Sequence, residues 1–161
     1  HLIVSSICRI PSESVDPTLK HYHWLDFQMG LFEAFDRGGD TVVLVNRNGD
    51  LTEGPGFNLF LVQNGSLTTP DSGVLNGMTR RTLFELCAEL KIQCQAAQIP
   101  ATQLTNVDEV FLSSTAGGLI PITTINNQVV GGGNPGPVTR QLRNFYWRKR
   151  ETGWHGTPVG P

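Results

Sequence analysis

The chain has 161 residues, 39% of them hydrophobic and 16% charged, with a formal net charge of −2. That length suits one domain of ordinary size, able to bury roughly two-thirds of its unfolded surface. The near-neutral balance excludes nucleic-acid or membrane binding driven by bulk charge, and no apolar run reaches the roughly 18 residues of a membrane span.

In chain order, residues 2–10 read as a strand that Pro11 ends, and 11–17 as a connector. Tyr22 to Phe35 predicts a helix, with Trp24, Leu25, Gln28, Met29, Phe32 and Phe35 on related faces, closed by Gly38-Gly39. Thr41 to Val45 is a β-branched strand, and Asn46-Arg47-Asn48-Gly49 supplies hairpin chemistry. Phe57 to Val62 and Ser66 to Thr69 are strands joined by an Asn64-Gly65 turn. Thr79 to Lys91 is the clearest helix: Leu83, Leu86, Cys87 and Leu90 repeat at helical spacing, and Lys91 in the last turn suits the helix dipole. Ile92 to Ile99 and Glu109 to Ser113 predict strands, and Pro121 to Val130 predicts β structure with a turn at Asn126-Asn127. Gly131 to Gly136 is a loop. Pro137 to Arg150 is a last helix that buries Val138, Leu142, Phe145 and Tyr146, with Pro137 in its first turn. Residues 151–161 are expected to form a loose tail. The elements do not alternate as βαβα. They predict an α+β fold, mostly antiparallel, with a barrel-like or sandwich β core and about three outer helices.

Four places could carry chemistry. Asn76-Gly77-Met78-Thr79 opens a helix, where free backbone N–H groups and a hydroxyl make an anion site. Thr115-Ala116-Gly117-Gly118 follows a strand, and its small residues let backbone approach a ligand closely. Lys20 precedes the aromatic run His21-Tyr22-His23-Trp24, and an amine desolvated by such walls becomes a nucleophile able to form a Schiff base. Glu53 is followed by glycines in Leu51-Thr52-Glu53-Gly54-Pro55-Gly56-Phe57-Asn58. Singly, each has an ordinary structural reading: a capped helix, a glycine turn, a solvated lysine, a surface glutamate. No third ligand joins His21 and His23, and Cys8, Cys87 and Cys94 lack metal spacing, so no metal is expected. The cysteines read as thiols of a reducing, cytoplasmic compartment. Arg148-Lys149-Arg150 reads as a solvated face rather than a nucleic-acid patch.

Taken together and in order, Asp16-Pro17-Thr18-Leu19-Lys20, Leu51-Thr52-Glu53-Gly54, Gly73-Val74-Leu75-Asn76-Gly77-Met78-Thr79-Arg80 and Thr115-Ala116-Gly117-Gly118 resemble the fold-type-IV (class IV) aminotransferases. These include the branched-chain, D-amino-acid and (R)-selective amine transaminases. The resemblance runs from about residue 2 to about residue 150. It implies pyridoxal 5'-phosphate as cofactor, with Lys20 holding it as a Schiff base and shuttling a proton. Glu53 would pair with the pyridine nitrogen, and Leu75 would pack on one ring face. Met78, Thr79 and Thr115 would hold the phosphate, Phe57 and Asn58 would complete the wall beside Glu53, and Ala116 would border the substrate with Thr115.

Many branched-chain members carry a tyrosine where Trp24 falls. The apolar wall here looks more like the (R)-selective amine transaminases, moving an amino group from an amine or amino acid to a 2-oxo acid. Branched-chain or D-amino-acid transamination, a lyase of the same fold, and an inactive isolated domain are the alternatives. By the same resemblance, residues 1–150 are a cofactor-binding C-terminal domain, with 1–16 the strand and connector into it. A small N-terminal domain absent from this chain, and a homodimer, are expected to complete the enzyme.

Overall fold

A glycine-rich, turn-rich chain with short apolar runs folds here as two facing sheets with helices on their outer sides. The structure, a computed structural model, describes residues 1–159. Its elements are β1 (Leu2–Cys8), α1 (Leu25–Asp36), β2 (Thr41–Val45), β3 (Glu53–Gly54), β4 (Phe57–Gln63), β5 (Ser66–Pro70), α2 (Met78–Leu90), β6 (Cys94–Ala97), β7 (Glu109–Ser114), β8 (Gly118–Ile122), β9 (Thr124–Ile125), β10 (Gln128–Val129) and α3 (Pro137–Glu151). Short 3-10 turns lie at Ala101–Asn106 and Gly131–Gly133.

The smaller sheet has the order β10-β9-β1-β2, and the larger runs β6-β5-β4-β7-β8 with β3 paired to β4. Pairing is mostly antiparallel, with parallel exceptions at β1–β2, β1–β9 and β5–β6. The Asn64-Gly65 turn forms as expected, both residues at positive φ (50° and 75°), the geometry a tight hairpin demands.

Alternation along β4 sorts the core. Leu59 and Leu61 face inward with Leu2, Val43, Leu112 and Ile125, filling the space between the sheets. Phe60 and Val62 face outward, where Phe60 stacks on Phe111 at 5.2 Å and meets Leu83 and Leu86 of α2 and Leu142 and Tyr146 of α3. The other sheet buries Ile3, Val42 and Leu44 under α1.

The helix α1 departs from the expected face. Leu25, Met29, Phe32 and Phe35 are exposed, and the residues turned inward are Asp26, Phe27, Gly30 and Ala34. Small residues let the helix lie close on the sheet: a Cβ added at Gly30 would stand 2.8 Å from Leu44 Cδ2. Lys91 also differs. It sits beyond the last turn of α2 as a left-handed cap, φ 57°, rather than inside it.

Past α3, Trp154 and His155 lie back against the helices, while 156–159 are exposed. Trp154 packs beside the outer core under the Lys149 ammonium, 4.4 Å from its ring, and His155 Nε2 lies 2.8 Å from Glu85 Oε2. Positions 160 and 161 of the expected loose tail lie outside the described residues. Among those described, no helix is long and apolar enough to cross a membrane.

Candidate active site

The site grows from one end of β4. The residues Pro55-Gly56, with Gly56 at φ +81°, turn β3 back on β4, so that Glu53 pairs with Asn58 and Gly54 with Phe57. The short β3 thereby carries Glu53 to a buried position, 5% exposed.

Both oxygens of that carboxylate are held. Oε2 accepts the Leu75 backbone N–H at 2.8 Å and the Asn58 side-chain amide at 3.3 Å, and Oε1 accepts from Arg9 at 3.2 Å. Arg9 closes β1, where its own N–H donates to the Val45 carbonyl at 2.8 Å. Its guanidinium lies 4.1 Å over the Phe27 ring and donates to Asp26 Oδ2 at 2.7 Å. Asp26, in the first turn of α1, also accepts the Ile10 and Phe27 N–H groups. Burial pushes the Glu53 carboxyl above its ordinary range. The Leu75 N–H and Arg9 oppose that rise, and the Asp26 charge adds to it.

Asn58 joins this cluster to α2, since its amide also donates to the Leu75 carbonyl at 2.9 Å. A side chain at Gly77 would overlap Asn58 Oδ1, so the helix start sits directly against β4. Gly77 is the N-cap and no side chain caps the helix, which leaves its first amides open to an anion. Thr79 is buried there and Met78 exposed. Arg80 anchors the turn, donating to the Pro70 carbonyl at 2.9 Å and Asn76 Oδ1 at 3.1 Å, and burial lowers its pKa.

The strand β7 ends at the same edge, because Ser113 pairs with Asn58. Thr115 and Ala116 leave the sheet at that end and are exposed. Lys20 and Trp24 belong to the loop between β1 and α1. Arg9 and Asp26 pin the two ends of that loop together, and Trp24 meets Phe27 edge-on at 5.7 Å. Lys20 itself is exposed and makes no hydrogen bond or ion pair among the described residues.

Glu53, Asn58, Leu75, Met78 and Thr79 therefore form one cluster, with Thr115 and Ala116 at the same sheet edge and Lys20 and Trp24 on a loop tethered to it; Phe57, expected beside Glu53, pairs with Gly54 and turns its ring to the inner core with Leu59 and Leu61. Sequence reasoning missed Arg9, Asp26 and Ser113, the last with a buried hydroxyl that has no partner among the described residues. A charged residue closing an apolar strand just before Pro11 was the available signal for Arg9. A separate cavity of about 300 Å³, lined by residues including Val4, Leu104, Val107 and Ile125, shares none of these side chains and has no titratable group in its walls.

The family model for amino-transferase class IV matches residues 1–125. A probable branched-chain-amino-acid aminotransferase of Thermotoga maritima is 36% identical over 145 residues, 88% of this chain and 52% of that protein. The branched-chain amino acid aminotransferase of Thermobaculum terrenum, solved in its PLP (holo) form, superposes with a TM-score of 0.90 at 35% identity, covering 96% of this chain and 51% of that one. The branched-chain aminotransferase of the archaeon Thermoproteus uzoniensis, solved with norvaline, gives a TM-score of 0.87 at 31% identity, covering 95% and 51%. The chain thus spans about half the length of these relatives. The match in sequence and in fold, over nearly the whole of what is present, makes this chain a member of the class IV aminotransferases.

Proposed function

We propose that the protein binds pyridoxal 5'-phosphate and transfers an amino group from an amino acid or amine to a 2-oxo acid. The observation that carries this reading is Glu53. A carboxylate has about four lone-pair positions, and Arg9, Leu75 and Asn58 fill three of them. One acceptor position is left in a buried carboxyl whose surroundings favour holding a proton, which suits a protonated ring nitrogen. The open amides at the start of α2 fit a phosphate.

When bound, the cofactor supplies an electron sink for negative charge developing on the substrate carbon. The chain's own residues do the rest. Glu53 keeps a proton on the ring nitrogen. The Met78 and Thr79 amides, with the Thr79 and Thr115 hydroxyls, hold the phosphate. Leu75 walls the ring, Asn58 fixes Glu53, and Ala116 leaves room for the substrate. Lys20 Nζ, on the loop that Arg9 and Asp26 tether, would attach the cofactor and carry the proton to and from the substrate carbon. A homodimer acting in the cytoplasm belongs to the same reading; the apolar row exposed on α1 supports a partner surface.

Similarity to branched-chain enzymes favours branched-chain amino acids as donors. Trp24 favours a second reading, an (R)-selective amine donor, because its indole offers an apolar wall and no phenolic hydroxyl. Borohydride reduction of the cofactor-loaded protein, followed by peptide mass analysis, is expected to place the cofactor mass on Lys20. Finding the label on none of the lysines would sink the proposal. Parallel assays with L-leucine plus 2-oxoglutarate and with (R)-1-phenylethylamine plus pyruvate separate the two donors.

A further inference from the structure

The buried ion set beneath the site holds two carboxylates against one guanidinium. Asp26 lies 2.7 Å from Arg9 and Glu53 lies 3.2 Å from it, and all three side chains are at least nine-tenths buried. Arg9 cannot neutralise both. The shorter bond is to Asp26, which also takes the Ile10 and Phe27 N–H groups, so Arg9 is shared in favour of Asp26. A further cation, Arg80 on α2, spends its donors on Pro70 and Asn76 and faces Asp71 and Cys94 as well as Glu53. Arg9 Nε is buried with no partner among the described residues, so the guanidinium is not fully engaged even by two carboxylates.

We infer that Asp26 is a positioning residue that acts on the site through Arg9: by taking up much of Arg9's charge, it leaves Glu53 with an uncompensated negative charge that only a proton or a protonated ring nitrogen balances. The inference rests on the proposed cofactor for its consequence, but not for its electrostatics. Without Asp26, Arg9 belongs wholly to Glu53, which becomes a satisfied ion-pair partner and a poor acceptor for a ring proton. Asp26 does not touch the cofactor in this scheme. It sets the proton affinity of the group that does, from the far side of a guanidinium.

The experiment uses the protein expressed from its complete coding sequence, with two readouts. The first follows the Glu53 carboxyl by 13C NMR titration without cofactor. D26N is expected to lower the Glu53 pKa by about one unit or more, and R9Q/D26N, which removes one charge of each sign, is expected to bring it back to or above the wild-type value. The double variant also guards against D26N acting through misfolding, since general loosening would not reverse on removing Arg9. An unchanged Glu53 titration in D26N, or no reversal in the double variant, overturns the inference. The second readout follows the ring nitrogen of 15N-labelled pyridoxal 5'-phosphate bound to each variant. The ring is expected to be protonated in the wild type, and in D26N to deprotonate at a pH lower by about one unit or more. A ring that titrates identically in both overturns the link to the site. A wild-type protein that takes up no cofactor defeats the functional proposal while leaving the carboxyl titration to be judged by itself.

Discussion

Asn58 donates one side-chain amide to the Leu75 carbonyl at 2.9 Å, and the Leu75 N–H in turn donates to Glu53 at 2.8 Å. The strand β4 and the loop that opens α2 are thereby locked to the same carboxylate. The start of α2 and the Glu53 carboxylate cannot shift independently.

Replacing Asn58 with Ala removes that lock: the Leu75 carbonyl keeps the Gly77 N–H, but the buried Glu53 carboxylate loses one of its donors. Stability is expected to fall by about 1–3 kcal/mol, the cost of a lost buried hydrogen-bond partner, read as a lower urea midpoint. Asn58→Asp is expected to be worse than Ala in cofactor affinity, because it sets a second carboxylate against Glu53. Equal affinities for the two variants would show that a charge at position 58 does not reach the site, and an unchanged urea midpoint in Asn58→Ala would refute the lock.

Glu53→Gln is expected to change the pH dependence of stability in a defined direction. The folded-state pKa of Glu53 lies above its ordinary value of 4.5, so the native state binds more protons than the unfolded state in that window. Stability therefore falls as pH rises from about 4.5 through the raised value. The Gln variant should lack this decline, shown by thermal unfolding across pH 4 to 8. A variant that keeps the wild-type slope would show that Glu53 is not its source.

Glu33 on α1 carries the opposite sign. Burial pushes its carboxyl up, but the Ser5 hydroxyl, the Ser6 N–H and hydroxyl, and Arg37 outweigh that and leave its pKa low. Its contribution is present above about pH 4.5 and is lost as pH falls through the lowered value. Glu33→Gln is expected to cost roughly 1.5–3 kcal/mol at neutral pH, the range for hydrogen bonds to a charged group, and to flatten the acid limb of the stability curve.

Two changes on α3 should differ sharply. Leu142 is fully buried between the outer sheet face and the helices, and Leu142→Ala is expected to cost about 2–5 kcal/mol. Lys149 pairs with the half-exposed Glu89, and Lys149→Ala is expected to cost no more than about 1 kcal/mol. Equal costs in denaturant titration would mean that the charged pair, rather than the apolar stripe, holds α3 in place.

The elements with strong local signals were legible from sequence. The strand at 41–45, the Asn64-Gly65 hairpin and the 83/86/87/90 stripe of α2 all formed as expected, because turn chemistry and helical spacing act over a few residues. The face of α1 was not legible. Its most apolar row points outward, and its inward side is chosen by Gly30 and Ala34 for close approach to β2 and by Asp26 for a partner 17 residues away. The same reason hid Arg9, whose second carboxylate lies 44 residues downstream: an ion pair between distant positions leaves no periodicity to read. Glu53, Asn58 and Leu75 came through a family resemblance, and the structure adds the bonds that connect them. The two-residue β3 and the 3-10 turn at 101–106 are too short to stand out from loop in any window of residues.

The strand β4 bears on more than geometry. It has a paired neighbour on each side and a packed layer above and below, and its first residues carry the site. Its backbone amides should be the last in the molecule to exchange with deuterium, opening only when the whole domain does. The cluster around Glu53 then has no private melting transition. Partial denaturation should loosen the Lys20 loop while leaving the carboxylate and the start of α2 in register, so Lys20 would lose its place well before the Glu53 cluster does.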